Sequence, residues 1–303
     1  MAISRSQLVK ELEPGLNALF GLEYKRYENQ HAEIYAEESS DRAFEEEVML
    51  SGFANAQVKG EGSGVSFDEA QETFTARYTH ETVALAFAIT EEAIEDNLYD
   101  RLASRYTKAL ARSMSNAKQV KAVEPLIQGL PSTDGFDSGD GVSLFNTSHP
   151  TVAGTFANTL ATQADLNETS LEQSMIDIAK MTDERGLRIA ARGVKMIIPS
   201  ELQFTAERLM KSQGRTGTAD NDINAIVSMG MVPQGYRVNN YLTDSDAFYI
   251  LTDIPNGMKM FNRAPLTTAM EGDFDTGNVR YKARERYSFG VSDPRGIYGV
   301  EGA

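Results

Sequence analysis

Hydrophobic and polar positions alternate along this chain with periods that change several times, and each change marks an element. From Thr169, the residues Leu171, Met175, Ile178, Ala179 and Thr182 recur at helical spacing, with Thr169 and Glu172 at capping-box distance and Gly186 as the stop. The spacing predicts an amphipathic helix. Val194 to Ile198 is short and rich in β-branched side chains, so it reads as a buried strand closed by Pro199. Ser200 and Gln203 stand at capping-box distance before Leu202, Ala206, Leu209 and Met210, which predicts a second helix. The cassette carries no catalytic group and reads as scaffold.

Upstream, Val48 to Ile89 reads as one long hairpin whose tip, Gly60-Glu61-Gly62-Ser63-Gly64, is a flexible turn. Val83, Leu85, Phe87 and Ile89 alternate with Ala84, Ala86 and Ala88, and Phe74, Ala76 and Tyr78 keep the same two-residue period. An isolated hairpin of that length is marginal in water, so it needs another surface to lie on. Thr90 then caps a helix with Ile94, Leu98, Leu102, Tyr106, Leu110 and Met114 at every fourth position. Pro125 is expected to end it after about 30 residues, roughly 45 to 50 Å. Glu91 and Glu92 at its start, and Arg112, Lys118 and Lys121 farther on, complement the helix dipole.

Past the cassette, residues 211–224 form a polar, glycine-bearing loop that begins Lys211-Ser212-Gln213-Gly214-Arg215-Thr216-Gly217, and strands are predicted at Tyr236 to Val238, Ala247 to Leu251, Met258 to Phe261 and Val279 to Val291. In the last of these, Arg280, Lys282, Arg284 and Arg286 share one face, with Tyr281, Ala283, Tyr287 and Phe289 opposite. Such a row is either a solvated or internally paired face, or a contact with an acidic segment of a neighbouring subunit such as Glu45-Glu46-Glu47.

Composition narrows the class. With 303 residues, 41% hydrophobic and 24% charged, the chain can build one elaborated domain or two small ones. A net charge of -15 argues against general polyanion binding, which depends on neutralising phosphates, while leaving a local basic patch open. The absence of cysteine removes disulfides and thiolate metal sites and fits a reducing cytoplasm. The longest apolar stretch, Val83 to Ile89, falls far short of the roughly 20 residues of a membrane helix, and the N-terminus has no signal-peptide pattern. Residues 1–48 are strongly acidic, and Pro14-Gly15 and Gly21 are expected to interrupt any long helix, although Leu8, Leu12, Leu16, Leu19 and Phe20 could pack a short one. This reads as an arm that needs a partner surface.

A search for chemistry returns little. His31, His80 and His149 are far apart and match no short metal motif, so structural roles are the better reading. Asp134, Asp137 and Asp140 crowd a glycine-rich loop at a spacing of three, which is not that of a calcium loop. No phosphate loop and no nucleophile elbow occurs, and no carboxylate pair stands out as acid and base.

The order of these parts, acidic arm, long hairpin, long helix, cassette and basic strand ending in Asp293-Pro294-Arg295-Gly296, resembles the major capsid proteins of tailed bacteriophages with the Hong Kong 97 fold. Leu144-Phe145-Asn146-Thr147-Ser148-His149-Pro150, then Asn158, Gly186 and Ile197-Ile198-Pro199, look most like the Mu-like head subunits. The resemblance implies an α+β fold with an N-terminal arm (1–47), an extended hairpin or E-loop (48–89), a peripheral domain with a long spine helix (90–165 and 276–303) and an axial domain (166–275). It implies a non-enzymatic subunit, without cofactor or metal, that forms pentamers and hexamers of an icosahedral head enclosing double-stranded DNA. It also implies a virion protein assembled in the host cytoplasm, with portal and scaffolding partners and a possible decoration protein. Intersubunit contacts are expected at Glu45, Glu46, Glu47, Lys59, Arg280, Lys282, Arg284 and Arg286, with Lys59 a candidate for the isopeptide cross-link some members form. Removal of residues 1–47 is expected to leave soluble subunits that assemble poorly. The alternatives are a cellular nanocompartment shell of the same fold, a tail-tube or sheath protein, and an acidic carboxylate enzyme.

Overall fold

The computed structural model describes residues 5–90, 92, 99–133, 135–214, 222–273 and 277–303. The predicted start of the long helix with Glu91, Ile94 and Leu98, the residue Asp134, and the Arg215-Thr216-Gly217 part of the polar loop lie outside the described residues, as do the side chains of Leu8, Leu12 and Leu102. In chain order the elements are α1 (Arg5–Arg26), β1 (Ala36–Ser39), β2 (Phe44–Leu50), β3 (Glu72–Thr79), β4 (Glu81–Ile89) and α2 (Tyr99–Gln128). Two short pairs follow, β5 (Asp137–Ser138) with β6 (Val142–Ser143) and β7 (His149–Thr151) with β8 (Gly154–Phe156). Then come α3 (Glu168–Lys180), β9 (Gly193–Ile198), α4 (Gln203–Lys211), α5 (Ala225–Ser228), β10 (Tyr236–Val238), β11 (Phe248–Thr252), β12 (Met258–Gly272), β13 (Val279–Val291) and β14 (Ile297–Val300).

Two four-stranded sheets organise the subunit. The first has the order β1-β12-β13-β4, with β12 and β13 antiparallel from Met258 opposite Val291 to Gly272 opposite Val279. The second has the order β10-β9-β11-β14. Alternation along β13 sends Tyr281, Ala283 and Tyr287 inward, where Tyr281 and Ala283 pack with Leu110, Ala111 and Met114 of α2 and Leu16 and Phe20 of α1. Leu171, Met175 and Ile178 of α3 seal one side of the second sheet against Met196, Ile198, Phe248 and Ile250. Full burial of such side chains contributes about 1.5 to 3 kcal/mol each. A third cluster joins the sheets: Ala122, Val123 and Leu126 of α2 meet Ile197, Tyr249, Met260, Tyr287 and Ile297, with Ile34 and Tyr35 inserted from the N-terminal segment.

Several expectations change. The hairpin is β2 with β3, so it begins at Phe44 and returns by Thr79; β4 leaves it and pairs with β13 instead. Period-two alternation marks a strand without naming its partner, so the pattern of β4 fits a hairpin and a sheet ladder equally. α1 runs as one helix through Pro14, Gly15 and Gly21, held at Leu16 and Phe20 by its own subunit. The segment 1–47 therefore contributes core, and its removal would strip Phe20, Ile34 and Tyr35 from buried clusters. α2 continues past Pro125 to Gln128; a proline so near the end forfeits one backbone bond, and Gly129 N–H still reaches the Pro125 carbonyl at 3.1 Å. Tyr106, expected in the apolar stripe of α2, is half exposed.

α3 is capped two residues earlier than expected, by Asn167 and Ser170 in a reciprocal box, because Asn167 holds the extended backbone a cap requires. It ends at Lys180, and Gly186 serves instead in the turn from Asp183, where its φ of +81° suits glycine. Ser200 opens a short 3-10 turn and hydrogen bonds to Glu201 rather than capping α4. Sheet membership also departs from the expected domain boundaries. β12, inside 166–275, belongs with β13 because the two form one hairpin, whereas β14, inside 276–303, completes the second sheet beside β11.

Candidate functional site: outward surfaces and a buried hub

The hairpin is the most exposed part of the molecule. β2 and β3 pair only as far as Leu50 and Glu72, leaving residues 51–71 as an extended excursion without strand partners among the described residues. Phe53 is 62% and Phe67 96% exposed, and Val58 and Val65 are likewise turned to solvent. Four large apolar side chains on one excursion leave apolar area that the subunit itself does not cover. At the base, Arg185 donates to the Glu69 carbonyl (2.5 Å) and lies 3.8 Å from Asp68. Lys59 is exposed within the excursion and makes no ion pair among the described residues.

The acidic triplet on β2 is brought to other cations than those expected. Glu45 accepts from Ser40 (2.7 Å) and lies 3.9 Å from Arg42; Glu46 pairs with Arg77 at 3.7 Å; Glu47 accepts from the buried Lys259 at 2.5 Å. Alternation turns Glu45 and Glu47 inward and leaves Glu46 outward, so only one of the three remains available to a neighbour. On β13, Arg280, Lys282 and Arg284 are exposed and Arg286 is half-buried, as alternation demands. Arg280 pairs with Asp273 at 2.5 Å, while Lys282 and Arg284 make no ion pair among the described residues. Register places Ala88, Ala86 and Ala84 of β4 beside Arg280, Lys282 and Arg284, so the cations stand over a floor of small side chains.

A buried polar hub ties the loops after α2 to the C-terminal turn. Asn158 donates Nδ2 to the carbonyls of Leu144 (2.7 Å) and Pro294 (3.0 Å), and its Oδ1 accepts from the Asn146 N–H at 2.9 Å. Oδ1 must then also accept from Nε2 of His149, 2.9 Å away, while Nδ1 of His149 faces Asp140 at 2.7 Å. Beside it, Arg295 is only 2% exposed and reaches Glu184 (2.5 Å), Asp293 (3.3 Å) and the Thr182 carbonyl (2.9 Å), with its guanidinium 4.2 Å from the centre of the Phe156 ring. Burial pushes the Asp293 carboxyl up from its ordinary range, and Arg295 opposes that rise. These residues stand in the stretches that carried the family resemblance, yet the ion pairs of Arg295 with Glu184 and Asp293 had no signal beyond the turn sequence Asp293-Pro294-Arg295-Gly296.

Beneath β13, Glu285 is buried between Lys118 (3.5 Å) and the Tyr24 hydroxyl (3.4 Å), and burial raises its pKa against the pull of Lys118. Nδ1 of His31 accepts from the Gln119 side-chain amide at 2.9 Å, and His80 bridges Ser40 and Ser288, both at 2.9 Å. All three histidines are thus hydrogen-bonded within the fold. Among the described residues no group of three or more His, Cys, Asp or Glu side chains is placed to hold a metal ion, and no helix is long and apolar enough to cross a membrane.

A long helix under a sheet, a projecting hairpin and a second sheet form the architecture of a Hong Kong 97-type capsid subunit. The virus-like particle of Pyrococcus furiosus shares this fold at a TM-score of 0.54 and 11% identity, over 95% of this chain and 98% of that one. The capsid of an empty GTA particle matches at 0.57 and 12% identity over 90% and 89%, and that of Myoviridae phage XM1 at 0.53 and 12% over 89% of each. No curated protein matches by sequence. The phage capsid protein family, by contrast, matches at residues 72–300, and the chain belongs to that family. It is a phage capsid protein.

Proposed function

We propose that the chain assembles into pentamers and hexamers of a phage head that encloses double-stranded DNA, acting without catalytic turnover or cofactor. The observation that carries this reading is the excursion at 51–71, whose Phe53, Val58, Val65 and Phe67 are exposed in the isolated subunit and gain about 25 cal/mol per Å² when laid across a neighbour. Lys282 and Arg284 supply a second contact, toward an acidic stretch of an adjacent copy in which Glu46 is the outward member of the β2 triplet. A groove of about 540 Å³ beside β10, lined by Met210, Lys211, Ile226, Met231, Tyr236 and Arg237, supplies a third contact, around the capsomer axis.

Portal and scaffolding proteins, and a decoration protein, are the partners such a head takes, with assembly in the host cytoplasm. The stretch from Leu144 to Pro150 with Asn158, joined in one hub, favours kinship with the Mu-like head subunits. The working division remains an arm, an E-loop, a peripheral domain around α2 and an axial domain around β9 and β11. Cryo-electron microscopy of shells from infected cells, with their nucleic acid measured, tests the proposal. Closed shells of five- and six-fold capsomers filled with duplex DNA are expected; shells filled with protein cargo, or open tubes, would overturn it.

A further inference from the structure

The charge of this acidic chain is distributed unevenly. Residues 101–123 of α2 contain six cations, Arg101, Arg105, Lys108, Arg112, Lys118 and Lys121, and no carboxylate. Two of these are paired within the subunit: Lys118 faces the buried Glu285 at 3.5 Å, and Lys121 pairs with Glu81 at the surface. Arg105, Lys108 and Arg112 are exposed and make no ion pair among the described residues. Their spacing of three and then four puts them on one stripe of the helix, turned away from the face that packs Ala103, Leu110, Ala111 and Met114.

We propose that this stripe binds the phosphodiester backbone of duplex DNA. The inference rests on the reading that the shell encloses such DNA, and it adds that α2 presents its open face to the interior. At 1.5 Å per residue the three cations span about 10 Å of helix axis. One strand of a duplex presents about three phosphates over that rise. Tyr106 and Ala109 are the exposed side chains between them, and Ser113 and Asn116 are exposed just beyond: none repels an anion, and hydroxyl and amide groups are ordinary phosphate donors. Two of the three cations are arginines, whose planar fork matches a phosphate. The row on β13 is less suited, because Asp273 already occupies Arg280 and Glu271 stands opposite it in register. Set against a net charge of -15, a three-cation stripe gives a weak, salt-sensitive hold, which would order the outermost DNA without gripping it.

The test uses full-length subunits and a 20-base-pair duplex, with binding followed by fluorescence anisotropy across a salt series. Wild-type protein and R105Q/K108Q/R112Q are compared, with K282Q/R284Q as the sheet-face control and polyglutamate as a second probe. Losing three phosphate contacts should reduce the slope of log K against log salt by about 2.7. Thermal unfolding should stay put, and K282Q/R284Q should bind as wild type does. An unchanged slope in the triple variant, a loss confined to K282Q/R284Q, or loss of polyglutamate binding alone would overturn the proposal. Shell formation by wild type is scored separately by electron microscopy, so failure to form DNA-filled heads would count against the capsid reading, and an unaltered salt slope against the stripe.

Discussion

Phe67 offers the sharpest test of where the assembly energy lies. It is 96% exposed in the subunit, so replacing it with alanine removes nothing from the folded core, and subunit stability should move by no more than about 0.5 kcal/mol. If the excursion docks on a neighbour, the same side chain becomes buried there. Complete burial of a phenylalanine contributes about 1.5 to 3 kcal/mol, and discounting part of that for ordering the loop leaves about 2 kcal/mol per docked tip. At 1.4 kcal/mol per factor of ten, F67A should raise the subunit concentration at which shells appear by about thirty-fold. Light scattering across a dilution series, scored by electron microscopy, reads that threshold, and circular dichroism melts read the subunit. F53A should act in the same direction but less, since Phe53 is already partly covered at 62% exposure. A threshold within twofold of wild type, or a melting temperature that falls with it, would refute the docking of this excursion.

Other expectations follow from the buried and charged groups. R295M should cost about 3 to 5 kcal/mol of subunit stability by leaving Glu184 and Asp293 buried without their cation, and adding E184Q and D293N should recover part of it; denaturant midpoints that match wild type would refute the hub's role. Burial, aided by Lys118 and opposed by the Gln119 hydrogen bond, pushes the His31 pKa down to about 4. Its unfolded value is about 6.5, so above that pH it contributes nothing. As pH falls toward 4 the unfolded chain takes the proton first, and up to about 3 kcal/mol is lost. H31Q should flatten that acid limb in denaturation measured from pH 7 to 4, and an identical limb would exclude His31 as its source. K282E/R284E should lower shell yield and its salt dependence while leaving the fold intact, with each exposed pair contributing about 0.2 to 1 kcal/mol; equal yield at every ionic strength would mark the row as a solvated face.

Local periodicity carried most of the elements but not their partners. β13 was legible because Arg280, Lys282, Arg284 and Arg286 alternate with apolar side chains on either side of the buried Glu285, and α3 and β9 because their apolar spacing matches one buried face. The end of α2 was misplaced because proline weakens a helix by one bond locally, whereas Leu126, fully buried in the shared core, holds the last turn in place. The ladder of β4 was misassigned because a chain that alternates Ala with large apolar residues fits either a hairpin or a sheet edge, and only β13, some 190 residues later, decides between them. The outward surfaces divided in the same way. Arg280 to Arg284 could be placed on one face from their spacing alone, but the cis partners of Glu45 and Glu47 are set by strand packing that no short-range pattern encodes. The hub escaped because Glu184 and Arg295 lie 111 positions apart.

The two sheets are bound together by chain crossings, and the tightest crossing is a pair of glycines. The chain leaves β11 for β12 past Gly257 and returns from β13 to β14 past Gly296, so the sheets exchange strands in both directions. At the crossing the two backbones touch: a Cβ on Gly296 would sit 2.3 Å from the Gly257 Cα, with backbone rather than a movable side chain in the way. Arg295, next in the chain, is anchored on Glu184 and Asp293, which leaves the return turn little room to shift. G296A should therefore overpack the crossing and cost about 1 to 3 kcal/mol. The loss should appear in subunit melting and, because the two sheets then meet at a changed angle, in the regularity of shells that still form. G257A, meeting the same contact from the other side, should behave alike. If either variant melts as wild type does and builds uniform shells, the crossing is not what fixes the angle between the sheets, and that role would pass to the shared core around Tyr249, Met260 and Tyr287.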